Sequence, residues 1–197
     1  MEFLKIICTM YFYWPANTNS ERKKQIMKLS IYLAISANGF ISNERGVTDW
    51  LSDEYGQGFY SICQKTKAVI MGKTTYNILV PDYLPLKEDG TTVVLTSDMQ
   101  LTPPNPTVVF TNETASEIVS MLEKKGHTEA VIIGGALTAS KFVNAGLVDD
   151  VILVVEPVFF RNGLPLFKDL ESDLKLDLTE IIKLNDNTIR VHYSILK

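Results

Sequence analysis

Val131-Ile132-Ile133-Gly134-Gly135-Ala136-Leu137-Thr138 is the stretch from which the fold can be read. Three β-branched residues end in two glycines, and a helix-forming segment, Leu137 to Ala145, follows at once. This pattern sets the carboxyl end of a strand against a helix amino terminus. Unpaired backbone N–H groups and the positive end of the helix dipole face outward there. Anions, phosphates above all, bind at such places. Paired glycines let a ligand come close to the backbone and reach φ values closed to other residues. Taken alone, the pattern fits a tight turn without a ligand equally well.

The same pattern recurs. Val69-Ile70-Met71-Gly72-Lys73-Thr74-Thr75-Tyr76 again runs from an apolar strand through glycine into a helix start, now with a lysine and two hydroxyls in the first turn. It is not a Walker A loop, because that motif's earlier glycine is missing. Val93-Val94-Leu95-Thr96-Ser97-Asp98 ends a third buried strand in two hydroxyls. Three strand ends with phosphate- or ribose-compatible groups point to one extended nucleotide lying across a sheet edge.

Length and composition bound the rest. The chain has 197 residues, room for a single domain with a full core. Its 46% hydrophobic and 21% charged residues are those of a soluble globular protein. A formal net charge of −4 and no basic run argue against a nucleic-acid surface. Cys8 and Cys63 make neither a disulfide framework nor a zinc site, which fits a reducing cytoplasm. His127 and His192 lack metal-ligand spacing, so no metal is expected. No apolar run reaches the roughly 18 residues of a membrane helix.

Phe3 to Trp14 is apolar and aromatic, and Pro15 to Gln25 is polar and charged. The segment is too short to span a bilayer, and Glu2 stands where a signal peptide carries a basic flank. Met27 directly precedes the first core strand, so residues 1–27 are expected to be an extension outside the domain, with Met27 the natural start. Residues 28–197 form the domain.

From Met27 onward strands alternate with helices. Strands are expected at 28–35, 67–71, 91–96, 107–110 and 129–133, and helices at 53–65, 74–79, 114–125 and 136–145. Ser52 or Asp53 can cap the first helix and Thr114 the third, while Gly126 is placed for a helix carboxyl cap. Val148 to Val158 reads as a long strand near the sheet edge. Strands near 174–184 and 188–196 flank the hairpin loop Asn185-Asp186-Asn187. The expected fold class is α/β, with a mixed, mostly parallel central sheet, helices on both faces and a carboxyl-terminal antiparallel hairpin.

Ala34-Ile35-Ser36-Ala37-Asn38-Gly39-Phe40-Ile41-Ser42, followed in order by the three strand ends above, resembles the dihydrofolate-reductase-like superfamily. Within it, Gly134-Gly135-Ala136-Leu137, Ala145 to Asp150, Pro157 and Gly163-Leu164-Pro165-Leu166-Phe167 are more similar to the reductase domain of riboflavin biosynthesis. That domain reduces a ribosylaminopyrimidine. The resemblance covers roughly residues 28–197 and implies a three-layer fold and an NADPH-dependent reductase.

The cofactor residues it implies are Ala34 and Gly39 at the first strand and its loop, then Gly72, Lys73, Thr74 and Thr75. Leu95, Thr96 and Ser97 would meet the adenosine ribose and its 2′-phosphate. Gly134, Gly135, Ala136, Leu137 and Thr138 would hold the pyrophosphate. NADPH is expected to be preferred over NADH.

Hydride transfer to such a ring also needs a proton. Dihydrofolate reductases carry a carboxylate on the helix that follows a tryptophan. Here Trp50 is present, Tyr55 occupies the acid's place, and Asp53 and Glu54 flank it as the catalytic candidates. A carboxylate at a helix start also serves as a cap or dipole partner. Ser36 and Asn38, with an aromatic wall of Trp50, Tyr55 and Phe59, are the candidates for holding a flat heterocyclic substrate. Lys87 and Arg161 are the remaining candidates for a substrate phosphate. Dihydrofolate reduction, or nucleotide binding without turnover, remain alternatives. A homodimer formed through Val148 to Val158 is expected.

Overall fold

The computed structural model describes residues 27–80 and 89–197. Eight strands form the main sheet, and four helices interrupt them along the chain. β1 (Lys28–Ser36) is followed by a short β2 (Phe40–Asn43), α1 (Asp53–Thr66), β3 (Ala68–Gly72) and α2 (Lys73–Leu79). Next come β4 (Thr91–Leu95), β5 (Val108–Thr111), α3 (Ala115–Lys124), β6 (Glu129–Gly134) and α4 (Ala136–Asn144). β7 (Asp150–Glu156), β8 (Gly163–Pro165), β9 (Leu176–Lys183) and β10 (Ile189–Ile195) complete the chain.

The strand order is β5-β4-β3-β6-β1-β7-β10-β9. The first six of these run parallel, and the carboxyl-terminal hairpin adds β10 antiparallel to β7 and β9 antiparallel to β10. β1 is flanked by parallel neighbours and covered on both faces, which is why its sequence reads as a near-continuous apolar run. Alternation along it divides the core in two. Leu29, Ile31 and Leu33 face Ile118 and Leu122 of α3 and Phe142 of α4. Tyr32 faces the layer of α1 and α2, with Cys63, Tyr55, Phe59 and Tyr76. Two helices on each face give the three layers expected.

Local signals end the helices as read. Ser52 caps α1 by accepting from the Tyr55 N–H. Thr114 and Glu117 form a reciprocal capping box on α3, and Gly126 turns the chain out of it at φ +88°. One pairing was not expected. β2 and β8 pair as a small separate sheet, so tightly that a Cβ on Gly163 would come 2.2 Å from the Ser42 carbonyl oxygen. Strands of three and four residues carry too little periodicity to be read in sequence.

The edge assignment of Val148 to Val158 is overturned. β7 lies between β1 and β10, with Val151 and Val154 fully enclosed, because the carboxyl-terminal hairpin covers the side that sequence left open. The sheet's outer edges are β5 and β9. No helix among the described residues is long and apolar enough to cross a membrane.

Candidate functional site

A cleft of about 1140 Å³ opens along the carboxyl ends of the parallel strands. At its centre two strand ends meet two helix starts. Gly72 caps α2 and Gly135 caps α4, neither with a side chain, so both first turns present bare N–H groups.

The glycines here are demanded by packing as well as by φ. A Cβ on Gly134 would fall 2.3 Å from Thr75 Oγ1, and one on Gly72 3.0 Å from Thr138 Oγ1. Gly135 adopts φ +89°, and its Cβ would face the same Thr138 hydroxyl at 3.1 Å. Gly72, Thr75, Gly134, Gly135 and Thr138 thus form one junction whose hydroxyls and amides line the cleft. Such a surface suits the oxygens of a phosphate.

Around this junction the cleft brings together most of the residues singled out from the sequence. Ala34, Lys73, Thr74, Leu95, Thr96, Ser97, Ala136 and Leu137 all line it. Lys73 Nζ rides 5.6 Å above the Phe110 ring, a cation–π contact that fixes its charge at the β5 side. Asp98 turns out of the way, its Oδ1 accepting from the Gln100 N–H at 3.1 Å.

The opposite wall is aromatic. Trp50, Tyr55 and Phe59 line it together with Tyr60, Leu51 and Ile78. Tyr55 stacks on Tyr32 with centroids 5.5 Å apart and rings 16° from parallel. Burial pushes the Tyr32 hydroxyl up to about 12 and raises that of Tyr55 as well. Both phenols therefore stay neutral near pH 7, and the wall is an uncharged plane fit for a flat ring.

Several expected site residues lie elsewhere. Asp53 is exposed at the first turn of α1, and Glu54 turns to the hairpin loop, accepting from Asn185 Nδ2 at 2.9 Å. Neither lines the cleft, because a helix-start carboxylate is drawn to solvent or to the neighbouring loop. Ser36 is fully buried, donating to Asn38 Oδ1 at 2.8 Å and accepting from the Phe40 N–H at 3.0 Å. Asn38 clasps the chain beyond β7 through the Phe160 N–H and carbonyl. Gly39 makes the left-handed turn into β2. These three organise the loop after β1 rather than the cleft surface. Arg161 is exposed and also absent from the lining, while Lys87 lies outside the described residues.

Sequence reading missed three residues. Glu156, at the end of β7, is fully buried and accepts from both the Ser52 N–H (3.0 Å) and the Ser52 hydroxyl (2.7 Å). Its other oxygen accepts from the Thr188 hydroxyl at 3.1 Å. A lone acid closing the run Val151-Ile152-Leu153-Val154-Val155 was the signal available. Lys141 and Lys168 also line the cleft. Their separation from any glycine motif gave no local signal.

Comparison with known proteins agrees with this fold. The family model described as the RibD C-terminal domain matches residues 27–189. The uncharacterized Bacillus subtilis protein YwjB is 31% identical, the match covering 84% of this chain and 97% of that one. A solved protein of Shewanella sp. PV-4 superimposes with a TM-score of 0.75 at 23% identity, over 87% of this chain and all of that one. The Thermotoga maritima diaminohydroxyphosphoribosylaminopyrimidine deaminase/5-amino-6-(5-phosphoribosylamino)uracil reductase gives a TM-score of 0.69 at 17% identity. That match covers 88% of this chain and 58% of the bifunctional one.

Proposed function

The chain belongs to the RibD C-terminal domain family, and from that premise and the cleft we propose that it is an NADPH-dependent oxidoreductase. Its substrate is a flat pyrimidine- or pterin-like heterocycle, related in kind to the substrate of 5-amino-6-(5-phosphoribosylamino)uracil reductase. The observation that carries the reading is the single cleft joining the junction of Gly72, Gly134 and Gly135 to the wall of Trp50, Tyr55 and Phe59.

The residues present fit a dinucleotide. The uncapped first turns at Gly72 and Gly135 offer bare amides to a diphosphate, and Thr74, Thr75 and Thr138 add hydroxyl donors. Lys73, its ammonium held over Phe110, adds positive charge toward the adenosine end. Ala34, small and at the end of the central strand, lets a nicotinamide lie close to the sheet. When bound, that ring supplies the hydride. Tyr55 and Phe59 hold the heterocycle parallel to the wall and keep water from it. Ser52, oriented by Glu156, is the hydroxyl at the cleft surface beside them.

Asp53 and Glu54 turn away from the cleft, and this favours one second reading: nucleotide binding without turnover. An NADPH-oxidation assay against pyrimidine and pterin heterocycles, run beside direct NADPH titration, separates the two. Oxidation dependent on a heterocycle supports the reductase, and binding without oxidation supports the second reading. No binding at millimolar NADPH overturns both. We further propose that the chain forms a homodimer, through the exposed edge strand β9 rather than β7.

A further inference from the structure

We propose that Lys141 is the residue that selects a 2′-phosphorylated dinucleotide, acting with Lys73 as a two-ammonium clamp on the end of β4. The inference rests on the NADPH reading above and adds to it a residue and a preference. Lys141 belongs to α4, the helix that follows β6, yet its ammonium donates to the Glu113 carbonyl just beyond β5. Two residues before Glu113, the Thr111 carbonyl accepts the Thr96 N–H at 2.9 Å. Lys141 is therefore tied by backbone to the strand end that carries Thr96 and Ser97, and all three line the cleft with Asn112. Lys73 approaches the same end from α2, its Nζ over Phe110, whose register partner on β4 is Val94.

The donor count suits a phosphomonoester. An ammonium has three N–H donors; the Glu113 carbonyl takes one from Lys141 and leaves two for a ligand. Thr96 Oγ1 accepts from the Asp98 N–H at 3.1 Å, which keeps its own hydrogen available to donate. Two of the neighbouring acids have donors of their own. Asp98 accepts from Gln100, and Glu117 accepts from the Thr114 N–H and hydroxyl at 2.8 and 2.7 Å.

Position separates this clamp from the diphosphate site. The strand order β5-β4-β3-β6 places the β5 end three strands from the glycines of β6, roughly 14 Å at the usual strand spacing. A single diphosphate held at Gly134 and Gly135 does not reach that far. The adenosine end of a dinucleotide does, and its 2′-phosphate is the group that distinguishes NADPH from NADH.

Calorimetric titration of the full chain and of Lys141→Gln and Lys141→Arg tests the assignment. The probes are adenosine 2′,5′-bisphosphate and adenosine 5′-monophosphate, with NADPH titrated into the parent chain as the reference. A lost charge-assisted contact of this kind weakens binding about 10- to 100-fold. Lys141→Gln should lose that much for the bisphosphate and stay within about twofold for the monophosphate, and Lys141→Arg should restore most of it. An equal loss for both probes, or none for either, overturns the role of Lys141 while leaving NADPH binding intact. Failure of the parent chain to bind NADPH overturns the dinucleotide reading itself, and this inference with it.

Discussion

The Ser52 hydroxyl and its own backbone N–H both donate to Glu156 Oε1, at 2.7 and 3.0 Å, so one buried carboxylate fixes Ser52 beside the aromatic wall. Ser52 in turn caps α1, which carries Tyr55 and Phe59. Removing the acceptor strands three donors, two of Ser52 and the Thr188 hydroxyl, a cost of about 2–5 kcal/mol. Glu156→Ala should destabilise the fold by that order in urea unfolding. Glu156→Gln keeps the shape and part of the hydrogen bonding and should cost less than half as much. If the carboxylate also tunes Ser52 for chemistry, Glu156→Gln will depress kcat far more than stability. Equal unfolding midpoints for Glu156→Ala and the parent would contradict the latch.

At the phosphate junction the prediction turns on a single methyl group. Gly134→Ala would set a Cβ within 2.9 Å of three Thr75 atoms, so Thr75 or the start of α2 must move. Overpacking of this kind costs about 1–3 kcal/mol. The moved hydroxyl and amides belong to the proposed diphosphate site, so the NADPH-induced rise in melting temperature should fall away with it. Gly135→Val, at φ +89°, should abolish it. A Gly134→Ala protein that retains the full ligand-induced shift would remove the junction from the cofactor site.

Gly58 offers a test with a reversal of sign. A Cβ there would fall 2.2 Å from the Tyr32 hydroxyl oxygen, which approaches α1 closely enough to donate to the Tyr55 carbonyl at 3.3 Å. Ala for Gly inside a helix gains roughly 1 kcal/mol in propensity, but the clash costs about 1–3 kcal/mol. Gly58→Ala should therefore destabilise the protein. In a Tyr32→Phe background the offending oxygen is gone, and the same change should become neutral or stabilising. Identical effects of Gly58→Ala in both backgrounds would show that the Tyr32 hydroxyl is not what the glycine accommodates.

Much of this site was legible because its parts are local. Gly72, Lys73 and Thr75, or Gly134, Gly135 and Thr138, each lie within a few residues at a strand-to-helix turn, so adjacency in sequence is adjacency in space. Parallel pairing then brings separate turns to one sheet edge. Roles fixed by distant contacts were not legible. Glu156 meets Ser52 across 104 residues. Lys141 is placed by Glu113, and Asn38 by Phe160. The error at β7 is of the same kind: its apolar run fits an edge or an interior strand, and only the pairing of β10 decides between them. Asp53 and Glu54 misled because acids at a helix start have a local reason to be there.

Of the two outer edges, the one formed by β9 leads to the last prediction. β9 ends the sheet, and its backbone has β10 on one side only. The register sets Leu176 opposite Ile195, Leu178 opposite Tyr193 and Ile181 opposite Val191, so three apolar side chains share one face. Leu178 and Ile181 are 55% and 57% exposed there, beside the core residues Val191 and Leu153. A free strand edge with an apolar face invites pairing, and a symmetric partner is the simplest that can satisfy both. A stable interface of this kind buries roughly 800 Å² on each partner. Sedimentation at micromolar concentration should therefore give a species of twice the 22.1 kDa chain mass. Leu178→Arg with Ile181→Arg should convert it to the monomer without lowering the helix and strand signal in circular dichroism. A parent chain that sediments as a monomer across that range would refute the pairing, as would a double variant that stays dimeric.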